Sequence, residues 1–195
     1  MKFSQNINFK ELIGLKTILY GDTETGKTQI TSNFIQFLVE SLNIPLEHIS
    51  ILDFAPQLRY FKDRKIGGRI VDFYPASSKC QYIPISREII PPRLEASNRA
   101  DLYQNACHNY KLTQEMINYY STNPTPFLIC NDLSIHMHLG SKREMLDIIH
   151  NSKTFLGNAY YGKSIRKDFS RLFSRKEKLR VEYLLERVDR TIFTG

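Results

Sequence analysis

Short apolar runs alternate along this chain with longer stretches in which apolar residues recur every three or four positions. Residues 16–20 (Lys-Thr-Ile-Leu-Tyr), 48–53 (His-Ile-Ser-Ile-Leu-Asp), 127–130 (Phe-Leu-Ile-Cys) and 153–159 (Lys-Thr-Phe-Leu-Gly-Asn-Ala) are runs of the first kind. Brief, β-branched runs that end on a polar residue read as strands buried on both faces, as in a parallel sheet. Residues 28–42 are of the second kind, with Ile30, Phe34, Phe37, Leu38 and Leu42 on one helical face. So are residues 98–120, with Leu102, Ala106, Tyr110, Thr113, Ile117 and Tyr120 inward and Ser97 as the expected N-cap. Ser141 and Glu144 have the spacing of a capping box, opening a helix with Met145, Ile148 and Ile149 inward. A basic amphipathic helix is expected over 164–173, and a second, opened by a Ser174–Glu177 capping box, carries Val181, Leu184, Leu185 and Val188 inward. Residues 189–193 read as a closing strand, 69–74 as an edge or hairpin strand after the Gly67-Gly68 turn, and 1–15 as a lead-in or edge strand. Four prolines between 75 and 92 mark residues 75–97 as an irregular excursion. Strands alternating with helices give an α/β class with a mainly parallel central sheet, and 195 residues suit one domain over 1–195.

Between the first strand and the first helix stands Gly21-Asp22-Thr23-Glu24-Thr25-Gly26-Lys27-Thr28. This is the G-x-x-x-x-G-K-[ST] pattern of the phosphate-binding P-loop, or Walker A motif. A triphosphate is a compact multiple anion, and backbone N–H groups at a helix N-terminus hold it with the helix dipole in their favour. Gly21 and Gly26 allow close backbone approach, Lys27 places an ammonium between the outer phosphates, and Thr28 offers its hydroxyl to Mg²⁺. Residues 21–28, with Gln29 beside them, are the expected nucleotide contacts. Asp22 and Glu24 should turn outward, because a carboxylate facing the phosphates repels them.

The run 127–130 leads into Asn131-Asp132. An apolar strand ending in Asp downstream of a P-loop is the Walker B pattern, in which the carboxylate holds Mg²⁺ from a strand beside the loop. Asn131 takes the place directly after the run. Asp132 is the one carboxylate there and is assigned the metal role. Asn158 falls near the C-terminal end of its strand, where ligand-facing residues of open α/β sheets sit.

Charge narrows the partners. The net charge is +7, and residues 151–195 hold 11 Lys/Arg against 5 Asp/Glu. Arg166, Arg171 and Arg175 are therefore candidates for phosphate or nucleic-acid contacts. No run of eighteen apolar residues exists, and the N-terminus has no apolar h-region, so neither a membrane span nor a signal peptide is expected. Cys80, Cys107 and Cys130 are scattered and form no C-x-x-C pair, which reads as reduced thiols in a cytoplasmic protein. His136, His138 and His150 make a poor metal signature and are expected at the surface or internally satisfied.

The order of these features resembles the P-loop NTPases, and within them the RecA-like ATPases. The carrying residues are Gly21 to Thr28, the strand ending at Asp53, Asp132-Leu133-Ser134 after an apolar strand, and Asn158 at a later strand end. The resemblance implies a three-layer sandwich, ATP and Mg²⁺ as ligands, and Lys27 in catalysis. It further implies Thr28 and Asp132 at the metal, Asn158 as a sensor, and an arginine passed to a neighbouring subunit in a homo-oligomer. Two departures stand out. No Glu follows Asp132, and the second strand ends in Asp53 rather than Glu. Asp53 is then the candidate to position water, and hydrolysis is expected to be slow. The N-K-x-D guanine motif is absent, which favours ATP. The alternatives are a small-molecule or nucleotide kinase with an Arg-rich lid over 163–175, and a nucleotide-dependent assembly or switch module.

Overall fold

A computed structural model describes residues 7–61, 64–165 and 168–195. In chain order the elements are β1 (Lys16–Gly21), α1 (Lys27–Gln36), β2 (Ile49–Asp53), β3 (Arg59–Phe61), β4 (Arg64–Ile66), α2 (Ile70–Phe73), β5 (Gln81–Tyr82) and α3 (Pro92–Glu95). Then follow α4 (Arg99–Thr122), β6 (Phe127–Asn131), α5 (Leu133–Met137), α6 (Lys142–Asn151), β7 (Thr154–Tyr160), α7 (Arg171–Leu185) and β8 (Arg190–Phe193). Six strands form one sheet in the order β5-β2-β6-β7-β1-β8, every pair parallel. The class is therefore α/β with a parallel central sheet, as the alternation of periods requires. β3 and β4 form a separate antiparallel hairpin.

Strand alternation sorts the core into two layers. Leu19, Ile49, Ile51, Ile129 and Leu156 face α1, where they meet Phe34, Ile35 and Leu38. Their neighbours Ile18, Leu52, Leu128, Cys130 and Phe155 face the opposite way, against α4, α6 and α7 through Met116, Ile117, Ile149, Val181 and Leu184. β1 thus sends its crossover helix to one face while β7 sends α7 to the other. The two strands are adjacent, and the crevice at their C-terminal ends is where an open α/β sheet takes its ligand.

Several local readings change. Residues 69–74 form no strand. Ile70–Phe73 is a short helix, because Asp72 accepts from Arg69 N (2.7 Å) and Asp53 from Ile70 N (2.7 Å), which fixes a helical first turn. Ser174 opens no helix either. It lies inside the continuous α7, and Glu177 turns inward instead of back to a cap. Of the two readings of residues 1–15, the described ones fit the lead-in to β1, with a one-turn 3-10 helix over Phe9–Leu12 and no edge strand. The cap of α4 is Asn98, which accepts from Asp101 N, one residue later than expected.

Candidate phosphate-binding site

The loop after β1 is built as its sequence requires. Gly26 adopts φ 77°, a left-handed conformation that suits glycine, and it forms the N-cap of α1. It has no side chain to cap the helix, and the first turn of α1 carries no acidic residue, so the dipole's positive end keeps its field. Glu24 also lies in the left-handed region, at φ 58°. A Cβ on Gly21 would stand 2.6 Å from both Gly195 O and Thr194 Oγ1, since the end of β8 packs directly on the loop.

Lys27 folds back over this loop. Its Nζ donates to Gly21 O (3.0 Å), to Asp22 O and to Thr25 Oγ1 (3.1 Å). Burial pushes its pKa down to about 8, against the opposing pull of the Asp132 and Asp22 carboxylates. Asp22 turns away from the loop interior, as electrostatics demands. Its carboxylate accepts from Thr23 N (2.7 Å), Lys163 N (3.0 Å), Ser164 N (3.3 Å) and Ser164 Oγ. Burial opposes its ionisation, but the bonds from Ser164, Lys163 and Thr23 outweigh that and hold its pKa below the usual value. Glu24 is exposed.

The loop opens on a cavity of about 830 Å³, whose wall includes Thr23 to Gln29, Asp132, Ser134, His138, Asn158 and Tyr160. β6 does not stand beside β1, contrary to the sequence expectation; β7 lies between them. The residue that meets Thr28 is Asn131. The Thr28 hydroxyl donates to Asn131 Oδ1 (3.3 Å), which also accepts from Asn158 Nδ2 (2.8 Å). Asn131 Nδ2 donates in turn to Asp53 Oδ1 (2.8 Å) and Gly68 O (3.1 Å). Asn158 reaches further, donating to Thr31 Oγ1 (3.0 Å) and accepting from Asp132 N (3.0 Å). At 3% exposure Asn158 is a buried tie between β6, β7 and α1 that still borders the cavity.

Asp132 adopts φ 55°, a left-handed conformation that an aspartate tolerates better than most residues. That geometry carries its carboxylate into the cavity wall, where Oδ1 accepts from Ser134 Oγ. Desolvation raises its pKa, while Ser134, His138 and Lys27 pull it down. Its oxygens and the Thr28 hydroxyl are of the donor type that Mg²⁺ takes, and both border the cavity.

Asp53 is not placed to position water. It is 2% exposed and is absent from the cavity wall. Oδ2 accepts from Ile70 N (2.7 Å) and Tyr82 Oη (2.5 Å), and Oδ1 from Ala55 N (3.2 Å) and Asn131. Burial raises its pKa, and these bonds oppose the rise. The carboxylate ties β2, β5 and β6 together.

The expected arginines that are described do not border the cavity either. Arg166 lies outside the described residues, and Arg171 and Arg175 are exposed on α7, away from the cavity wall. The arginine that borders the cavity is Arg93, from the proline-rich excursion. A lone basic residue between Pro91-Pro92 and Leu94 was the one sequence trace of it. His136 and His138 are buried rather than at the surface. His136 Nδ1 is 2.8 Å from Thr113 Oγ1, and burial pushes its pKa down to about 4. Among the described residues no group of three or more His, Cys, Asp or Glu stands close enough to hold a metal by itself. No helix of the described residues is long and apolar enough to cross a membrane.

No family model matches the chain, and no curated protein matches it. Among solved structures it is similar to the Pif1 helicase from Candida albicans, at 13% sequence identity and a TM-score of 0.42. That match covers 95% of this chain and 37% of the helicase chain, so this chain spans well under half the length of its structural neighbour.

Proposed function

We propose that this chain binds a nucleoside triphosphate, ATP with Mg²⁺, over the Gly21–Thr28 loop and hydrolyses it slowly. The observation that carries the reading is the pairing of an uncapped, glycine-opened N-terminus of α1 with a half-buried lysine folded back over the loop beside it. Lys27 gives up the carbonyls of Gly21 and Asp22 and turns its ammonium to the outer phosphates. The amides at the start of α1 receive phosphate oxygens along the helix dipole. Thr28 leaves Asn131 and, with Asp132, would hold Mg²⁺. Bound there, the ion neutralises charge that develops on the transferred phosphoryl group. The slowness follows from the carboxylates. Asp53 is saturated by four donors, and Asp132 accepts from Ser134 while serving the metal. No glutamate borders the cavity apart from the exposed Glu24, among the described residues. Against the kinase reading, two of the arginines expected in its lid, Arg171 and Arg175, lie exposed on α7 and away from the cavity wall.

Two measurements test this. Lys27→Ala should abolish ATP binding in titration calorimetry; retained affinity would refute the phosphate-loop reading. A phosphate-release assay with ATP and GTP, with and without DNA or RNA, should show slow turnover that prefers ATP. Rapid unstimulated hydrolysis would overturn the assignment of the carboxylates.

A further inference from the structure

A second cation borders the cavity. Arg93 is 6% exposed, and its guanidinium forks onto Glu177, with Nη1 2.5 Å from Oε2 and Nη2 3.1 Å from Oε1. Nη1 also donates to Ser174 Oγ (3.3 Å). The guanidinium lies 5.0 Å over the Tyr160 ring, and Tyr160 is the register partner of Gly21, where the phosphate loop begins. Pro91 and Pro92 restrict the backbone that presents it.

A buried ion pair is a poor means of gaining stability, because desolving two charges consumes most of what their attraction returns. This one sits where stability is not the only demand. Arg93, Lys27 and the positive end of α1 all border one cavity. In the absence of an anion, Glu177 at 2% exposure supplies the compensating charge for Arg93. Burial acts against ionised Glu177, but Arg93 and His138 outweigh it and hold the carboxyl below its usual range. A triphosphate brings the same compensation in planar oxygen edges that a guanidinium fork matches.

We propose that Arg93 is a second phosphate ligand of this cavity, kept in reserve by Glu177 and handed to the outer phosphates when a triphosphate enters. The inference rests on the nucleotide-binding reading above. His138 Nε2 stands 3.5 Å from Glu177 Oε1 and would compensate the carboxylate on taking up a proton. Glu177 lies on the inner face of α7, and Arg171, Arg175, Lys176 and Lys178 lie exposed on the outer face. Losing the Arg93 fork loosens the helix that presents those charges, so occupancy of the cavity is transmitted to a basic surface.

Calorimetry with ATP and Mg²⁺ on the wild type, Lys27→Ala, Arg93→Gln, Arg93→Lys, Glu177→Gln and the Arg93→Gln/Glu177→Gln double variant tests the exchange. Losing a charge-assisted bond to phosphate should weaken binding by roughly 10- to 100-fold in Arg93→Gln. Arg93→Lys, which keeps a cation for Glu177, should fold and lose less. Glu177→Gln should tighten binding, and the double variant should match Arg93→Gln, since Glu177 acts through Arg93. Amide hydrogen exchange on the wild type gives a readout free of folding defects: ATP should speed exchange at residues 174–178. Wild-type affinity in both Arg93 variants, or unchanged exchange at 174–178 under saturating ATP, overturns the proposal. If the wild type itself fails to bind ATP, the nucleotide reading falls and this one with it. If the wild type binds, Lys27→Ala does not, and the Arg93 variants are indifferent, this inference alone falls.

Discussion

If the chain binds ATP as proposed, the Lys27 ammonium makes that affinity sensitive to alkaline pH in a calculable way. In the empty cavity its pKa is about 8, against 10.5 for a free lysine. About nine-tenths of the protein then carries the charge at pH 7, about half at pH 8 and about one-tenth at pH 9. Phosphate oxygens beside Nζ restore the charged form, so binding above pH 7 must first recruit a proton. The apparent Kd should rise about tenfold between pH 7 and pH 9, or about 1.4 kcal/mol. At pH 8 binding should take up about half a proton, visible as a dependence of the calorimetric enthalpy on the buffer's own ionisation enthalpy. Lys27→Arg serves as the control, since a guanidinium stays charged across this range and should flatten the profile. The folding linkage has the opposite sense. The unfolded chain holds this proton up to about pH 10.5 and the folded one sheds it near 8. The empty protein therefore gains stability as pH climbs between those values. A Kd that stays level from pH 7 to 9, with an enthalpy indifferent to buffer, would refute the argument.

Three further outcomes are expected. Asp132→Ala should weaken Mg²⁺-dependent ATP binding and spare Mg²⁺-free binding, measured by titration with and without chelator; equal loss in both would remove Asp132 from the metal. Gly157→Ala should lower stability by about 1–3 kcal/mol and the melting temperature by roughly 3–10 °C, because the new Cβ would stand 2.6 Å from Phe155 Cζ and 2.8 Å from Leu133 Cδ1. An unchanged melting curve would mean that both buried side chains can give way. If the outer face of α7 binds nucleic acid, log K should fall linearly with log[salt], and neutralising Arg171 and Arg175 together should reduce the slope by about 2. A salt-independent affinity would exclude phosphate contacts there.

The sheet was legible because its strands declare themselves locally. Residues 16–20, 48–53, 127–130 and 153–159 are apolar on both faces, and only a strand covered by helices on both sides needs that. The strand, glycine loop and helix over residues 16–36 were legible because their signal is local too, with the loop pattern held in eight consecutive residues. The misread positions are those decided at long range. Ile70 and Val71 carry β-branched side chains, but Asp53, seventeen positions earlier, accepts from Ile70 N and holds the turn helical. Ser174 and Glu177 have the spacing of a capping box, yet Glu177 is claimed by Arg93, 84 residues away. Arg93 itself sits in a stretch whose prolines announce only irregular backbone. The role of Asp53 was misjudged for the same reason. A strand-end carboxylate looks free until the four donors from Ala55, Ile70, Tyr82 and Asn131 are brought to it.

The bond from Asn131 to Asp53 carries a consequence for how this sheet distributes its anions. At 2.8 Å, two carboxylates in that enclosed place could not both ionise, and one would be forced to keep a proton. Residue 131 therefore has to be neutral for as long as residue 53 is charged, and an amide also supplies the donor that Gly68 O and Asp53 require. The ends of β2 and β6 behave as a single ledge with room for one negative charge. In this chain the carboxylate of that ledge is Asp53 at the end of β2, where it ties strands together, and the acid in the cavity wall is displaced one residue onward, to the left-handed Asp132. A charge swap, Asn131→Asp with Asp53→Asn, would move the anion beneath the Thr28 hydroxyl. Asn131→Asp alone would only crowd it.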